Sequence, residues 1–455
     1  MVRRMNNKQN MVRAIAQKLD KYAVCIMICL GAFFYFLPGQ WISIEDDSMS
    51  YLERGGEGVL PGYPMFINLF RTVLGERHFL DGVVVAQSIL AIVCTFLFVI
   101  TLHKKFKLQG WECILMYIAC MLPFSIYLPE SGITHQIMTE GLTYALFYIY
   151  FLFLLNFVLD RKYWWGIGLV LMSLILMFIR RQLMILLLTT FAAFMYVMIR
   201  RIKVKKIAIL VVSLCLGLAI AVGVCFIAAL RTQVIDVQQF TSILMIRGFY
   251  EVDYEDKELF DAPEMQEIFE RVYKAVDEKQ YRYVYARQDL YMWKDLLCDR
   301  IGLTAYMEIW PYITEHPELD LNDRKIIQDL GGKVLFKHFD RYLYHTLRLM
   351  IPGFIAAVFF QIEPIYLLCH FVALFLYLYA IAGSVICLKQ KRNRYVPEFM
   401  LTTVCFIFIM IVTVNLMFSG LQRYVVYAMG IFYCAAYLLL KELIMICFSR
   451  WEKKI

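Results

Sequence analysis

Residues 44–69 read IEDDSMSYLERGGEGVLPGYPMFINL and stand between two apolar segments, 22–38 and 82–102. Each flank is about as long as a bilayer crossing requires, roughly 20 apolar residues at 1.5 Å rise. Two adjacent carboxylates, Asp46 and Asp47, stand just past the first of them. Charge of that kind is costly in lipid, so the stretch belongs to a watery face, an ion path or a reaction centre. Asp46 and Asp47 open a short helical pattern that Gly55-Gly56 stops. Pro61-Gly62-Tyr63-Pro64 reads as a turn. The run PMFINLFRTVLG, 64–75, carries apolar residues at helical spacing, as a helix lying in the membrane interface does. The loop 40–81 is therefore structured, not a linker.

The rest of the chain agrees with a membrane setting. Of its 455 residues 61% are hydrophobic and 18% charged, against about 45–50% and about 25% in an average soluble domain. Hydrophobic runs at 22–39, 82–103, 111–128, 138–159, 164–179, 182–199, 207–229, 364–388, 397–417 and 423–441 predict an all-α multi-pass protein of about 10–12 transmembrane helices. The stretch 340–360 adds an interfacial or re-entrant helix. The formal charge of +8 is no nucleic-acid signal, because the basic residues cluster in short loops. Lys104, Lys105 and Lys107, then Arg161 and Lys162, then Arg200 to Lys206, then Lys389 to Arg394 all fall on one side of the alternating spans. That side is expected to be cytoplasmic and to hold both termini. Charge precedes the first apolar run, and no A-x-A-like cleavage site follows it, so 22–39 reads as a retained helix.

Three regions follow from this pattern. Residues 1–229 form an N-terminal transmembrane module carrying the loop 40–81. Residues 230–340 form a helical extracytoplasmic subdomain holding more than half of the acidic residues. Residues 341–455 hold an interfacial helix and the last spans. Nearly all cysteines fall in apolar spans and form no CxxC pair, so they read as small apolar residues.

Charged residues collect at the expected outer span ends. His135 and Glu140 lie in LPESGITHQIMTEGL, 128–142; Arg180 and Arg181 separate two short spans; Arg423 and Tyr424 close SGLQRY, 419–424. His135 has no second histidine at ligand spacing, which argues against a metal centre. The acidic segment leaves a divalent cation open, yet no Asp-rich loop of Ca²⁺-ligand spacing appears in it. Each group also has a plainer reading: helix-start acids for Asp46, Asp47 and Glu140, and headgroup anchors for the arginines.

The order DSMSYLERGGEG (47–58), PGYP (61–64), an amphipathic stretch ending at Gly75 and an apolar span resembles the class C glycosyltransferases. Those multi-pass enzymes use polyprenyl-phosphate-linked sugars; protein O-mannosyltransferases and lipid A aminoarabinose transferases are examples. Asp47 and Tyr51 match the family's first-loop Asp and the Tyr four residues on, with Ser48 in place of the usual Glu. Thr139-Glu140-Gly141-Leu142 resembles the family's second carboxylate motif, with Glu for Asp. Arg180 and Arg181, and later Arg423-Tyr424, resemble its basic landmarks. The resemblance spans 1–200, covers 364–441 loosely and leaves 230–340 unmatched.

What the resemblance implies is transfer of a sugar from a polyprenyl-phosphate donor at the extracytoplasmic face. Asp47 would act as general base, with Asp46 and Glu140 beside it. Arg180, Arg181, Arg423 and Tyr424 would hold the donor phosphate, and Tyr51, Tyr63 and His135 would line the substrate. The partners are then the lipid-linked sugar, membrane lipids and a glycan, lipid or protein acceptor. A transporter or flippase of a lipid-linked saccharide is the competing reading. It is disfavoured because span interiors are nearly free of charge and no halves repeat. A polysaccharide polymerase or ligase with its site in 230–340 is the other.

Overall fold

The computed structural model describes residues 20–36, 41–44, 46–53, 60–127, 132–199, 245–282, 284–285, 300–319, 322–360, 365–390, 393–417 and 425–452. The predicted span 207–229 and the residues Arg423 and Tyr424 lie outside them. The first helices are α1 (20–36), α2 (Asp46–Leu52), α3 (Gly62–Phe106), α4 (Gly110–Tyr127), α5 (Thr139–Asp160) and α6 (Tyr163–Ile179). A 3₁₀ turn, Arg181–Met184, leads into α7 (Ile185–Ile199). After it come α8 (Pro263–Glu278), α9 (Ile301–Glu315), α10 (Asp323–Lys337), α11 (Phe339–Val358), α12 (Tyr366–Gln390), α13 (Tyr395–Met417) and α14 (Met429–Glu452). Six helices among the described residues are long and apolar enough to cross a membrane. The protein is all-α and multi-pass. Two shorter apolar helices lie at Gly110–Pro123 and Tyr163–Ile179.

Contacts divide the chain into two compact units, one of 1–228, 375–406 and 426–455, the other of 229–374 and 407–425. In the first, α5 is the buried axis. The Phe147 ring meets Phe406 at a tilt and Tyr427 edge-on, at 5.3 and 5.4 Å, and Phe157 meets Phe194 at a tilt at 4.9 Å. At its C-terminus Arg161 takes a left-handed conformation and caps Phe157 O. There Lys105 pairs with Asp160 at 2.6 Å, and Arg161 and Arg394 meet Glu398 at 3.6 and 2.5 Å. With 22 residues, α5 sets its N-terminus about 33 Å from that cluster. α4 docks on α14, where Tyr437 and Lys441 both donate to Glu112 at 2.7 Å.

α3 breaks where the sequence places the end of the interfacial stretch. Gly75 has φ 73° and ψ 171° inside an otherwise helical run, a conformation essentially restricted to glycine. The break turns the segment before it back onto the span. A Cβ at Gly82 would stand 2.3 Å from Leu74 and 2.8 Å from Phe70. Nothing lies within 4 Å of a Cβ at Gly75, so the only obstacle to a side chain there is the backbone. Gly75→Ala is therefore expected to cost about 1–3 kcal/mol, read as a lowered unfolding midpoint in detergent. Gly82→Ala meets a different obstacle, contact with the Leu74 and Phe70 side chains, which must shift to admit it.

The second unit has its own core. Phe249, Phe269, Val272, Ile309, Ile327, Leu330 and Leu349 are buried together. α8 starts on Pro263, a residue suited to the first helical position, and turns Ile268, Phe269, Val272 and Val276 inward. The chain at 245–250 passes α10 so closely that a Cβ at Gly248 would stand 2.0 Å from Gly331 O. Arg247 ties this corner to the end of α13 and to α11, donating to Asn415 O at 2.7 Å and to Thr346 Oγ1 at 3.1 Å. Leu349 in the core, and Gly353 beside Ile411 and Asn415, carry the unit past residue 340. The described part of 230–340 is helical, as expected, and the packing of this unit continues into α11.

Candidate functional site

The first unit gathers polar side chains at the N-terminal end of α5. Residues 41–44 run beside 135–137: Ser43 N–H donates to His135 O, and Ile137 N–H to Ser43 O, both at 3.0 Å. This bridge carries the chain into α2. That helix docks through Tyr51 and Leu52 on a cluster with Tyr63, Ile67, Ile137, Leu142 and Ile179, and Ser48 is fully buried. Asp46 and Asp47 form the first helical positions of α2; their side chains, and that of Arg181, lie outside the described residues.

Glu140 and Arg180 meet here. Arg180 Nη1 stands 2.5 Å from Glu140 Oε2, and both residues are buried, 8% and 4% exposed. Thr139 Oγ1 accepts from Arg180 Nη1 at 3.1 Å and donates to Glu140 Oε2 at 3.0 Å. Arg180 Nε donates to Gln182 Oε1 at 2.7 Å. Local structure explains the aim of each group. Arg180 ends α6 in an extended conformation, φ −144° and ψ 118°, so the chain interrupts its helix there. Glu140 lies in the first turn of α5, where the helix dipole favours a negative charge. Close packing is built in next to it: a Cβ at Gly141 would stand 2.7 Å from Gln87 Nε2, and one at Gly62 2.5 Å from Phe178 O.

Around the pair runs a hydrogen-bonded belt. Tyr63 OH donates to Gln87 Oε1 at 2.9 Å, and Gln87 Nε2 donates to Thr134 O at 2.8 Å. Ser88 Oγ donates to Thr134 Oγ1 at 3.0 Å. Tyr51 meets Tyr63 edge-on at 5.3 Å, and Tyr63 lies within electrostatic reach of Glu140. His135 is fully buried, its Nε2 2.6 Å from Tyr35 O and its ring 5.1 Å from Trp41. It ties the loop to α1. One turn into α5, Thr143 Oγ1 lies 2.9 Å from Tyr427 OH, three residues past Tyr424. Among the described residues no group of three or more His, Cys, Asp or Glu is placed to hold a metal ion.

Of the residues picked out by sequence, Glu140, Arg180, Tyr51, Tyr63 and His135 thus come to one end of the first unit. Gln87, Ser88 and Thr134 were missed, and Thr139 was picked out only as the residue beside Glu140, without its contacts to the pair. The signal for two of the missed residues is present: Gln87-Ser88 is a polar pair inside the span 82–103, and polar side chains at such depth need partners. Comparison with protein-family models, curated proteins and solved structures finds no match for this chain.

Proposed function

We propose that this protein is a membrane glycosyltransferase moving a sugar from a polyprenyl-phosphate-linked donor to an acceptor at the extracytoplasmic face, with both termini in the cytoplasm. The observation that carries the reading is the shared cluster at the start of α5. Leu52 of α2, Leu142 beside Glu140 and Ile179 beside Arg180 pack together. The segment bearing Asp47 is thereby held at the same end as the buried Glu140–Arg180 pair. A buried ion pair is weak support for stability, because desolvation offsets its attraction. Ionisable groups inside a membrane bundle more often serve a function.

The chemistry assigned to these groups is a single displacement. Asp47 takes the proton from the acceptor hydroxyl or amine as its oxygen or nitrogen bonds to the anomeric carbon. The bond from that carbon to the phosphate oxygen breaks, and polyprenyl phosphate leaves with the electron pair. Arginines meet the phosphate, since guanidinium offers a fixed fork to its oxygens. Glu140 and Thr139 hold the Arg180 guanidinium in one orientation. Arg181 and Arg423 supply the further positive charge in this reading.

The test supplies labelled polyprenyl-phosphate sugars to membranes with and without the protein. Release of free polyprenyl phosphate with a glycosylated product is the expected result. Movement of the lipid across the bilayer with its sugar linkage intact would instead make the protein a flippase and end the transferase reading.

A further inference from the structure

A second polar site lies wholly in the second unit. A cleft of about 610 Å³ opens between the chain at 250–253, Arg282 and the polar flank of α11. That volume is within the roughly 300–1,000 Å³ of small-molecule sites. Its inner wall is a fixed ladder of charges. Arg282 Nη2 and Arg341 Nη1 donate to the two oxygens of Asp253 at 3.0 and 2.7 Å, and Arg282 Nη1 donates to Asp277 at 2.8 Å. Burial works against ionising Asp253, yet the hydrogen bond and charge of Arg341 hold its carboxyl below the usual range. At the floor the buried Glu251 carboxylate hydrogen-bonds His345 Nδ1. Tyr344, 55% exposed, presents its ring at the mouth with Arg348 5.8 Å from the ring centre.

We propose that this cleft binds a neutral saccharide. The charge balance carries the choice. Three arginines, Arg282, Arg341 and Arg348, face three carboxylates, Glu251, Asp253 and Asp340. Arg282 and Arg341 are already compensated by Asp253 and Asp277, so a phosphate or sulfate would meet no surplus of positive charge. A metal ion finds no cluster of ligands among the described residues. An apolar ligand would strip water from charges and gain nothing in return. A sugar hydroxyl both donates and accepts, and so uses interleaved carboxylates and guanidiniums together. The exposed face of Tyr344 supplies a flat apolar platform for the ring of the sugar. The site goes beyond the transferase reading, since none of its residues belongs to the first unit.

The full-length protein in detergent is titrated with fluorescently labelled neutral tetrasaccharides of glucose, galactose, mannose and N-acetylglucosamine. Inorganic phosphate and a sulfated disaccharide serve as competitors. Binding of at least one neutral saccharide is expected, weakened about ten-fold in Tyr344→Ala and in Asp340→Asn, both exposed positions, and untouched by the competitors. Absence of neutral-saccharide binding, indifference to both substitutions, or displacement by phosphate overturns the proposal. Release of polyprenyl phosphate is followed in the same preparation. Saccharide binding without release leaves the cleft standing and sinks the transferase, whereas release without binding does the reverse.

Discussion

Arg180→Met is expected to lower stability by about 3–5 kcal/mol, because it leaves the Glu140 carboxylate buried without its cation. It should abolish sugar transfer as well. The single variant cannot separate the two effects, but a second substitution can. Arg180→Met combined with Glu140→Leu removes both charges and fills the space with apolar atoms. Replacing a whole buried ion pair in this way is often neutral, or stabilising by about 1–4 kcal/mol. Thr139 then keeps its place in the first turn without either partner. The double variant is therefore expected to regain most of the lost stability while remaining inactive. Unfolding in mixed micelles reads the first quantity, and release of polyprenyl phosphate the second. A double variant that both folds and transfers sugar would make the pair a packing device and nothing more.

The same pair illustrates what sequence can and cannot reveal. Apolar length and loop charge suffice to place α3, α5, α12, α13 and α14, since water-to-lipid transfer depends on composition more than on partners. Gly75 was legible as the end of an amphipathic stretch, and it is where the backbone leaves the helical region. Arg180 was legible because two charges interrupt an apolar pattern. Its pairing with Glu140 was not. Glu140 opens α5 and Arg180 directly follows α6, and only the packing of α5 against α6 brings them together. Of the belt, only the polar pair Gln87-Ser88 left a trace in the sequence; its partners did not, because two of the acceptors are backbone carbonyls, Thr134 O and Gln136 O, which no residue type announces. In the second unit, composition separates polar from apolar stretches and so suggests a border near 340. Composition does not announce that α11, polar at its start, contributes Leu349 to the core of this unit. The cleft on its flank arises from Asp253, Arg282 and Arg341, and it follows from no local motif.

Asp47→Asn is expected to slow transfer by about 10²–10⁴-fold, the usual contribution of a positioned general base. The substitution is a fair test because it changes charge without changing shape. α2 is held by Ser48, Tyr51 and Leu52, all of which the variant keeps. The plainer reading of Asp47, an acid in the first turn of a helix, predicts a different outcome. Loss of its interaction with the helix dipole costs about 0.3–1 kcal/mol, visible as a small fall in stability with little change in rate. Asp46→Asn serves as the neighbouring control and is expected to lose far less activity. The pH profile separates the readings further. A base must be ionised to act, so the wild-type rate falls as acid protonates the carboxylate, and the amide variant retains only a slow rate without that acid limb. Should Asp47→Asn transfer sugar at the wild-type rate with the acid limb intact, the proton goes elsewhere. Glu140 is then the carboxylate to examine, and Glu140→Gln, which keeps the side-chain length and a polar partner for Arg180, is the variant that would carry the loss.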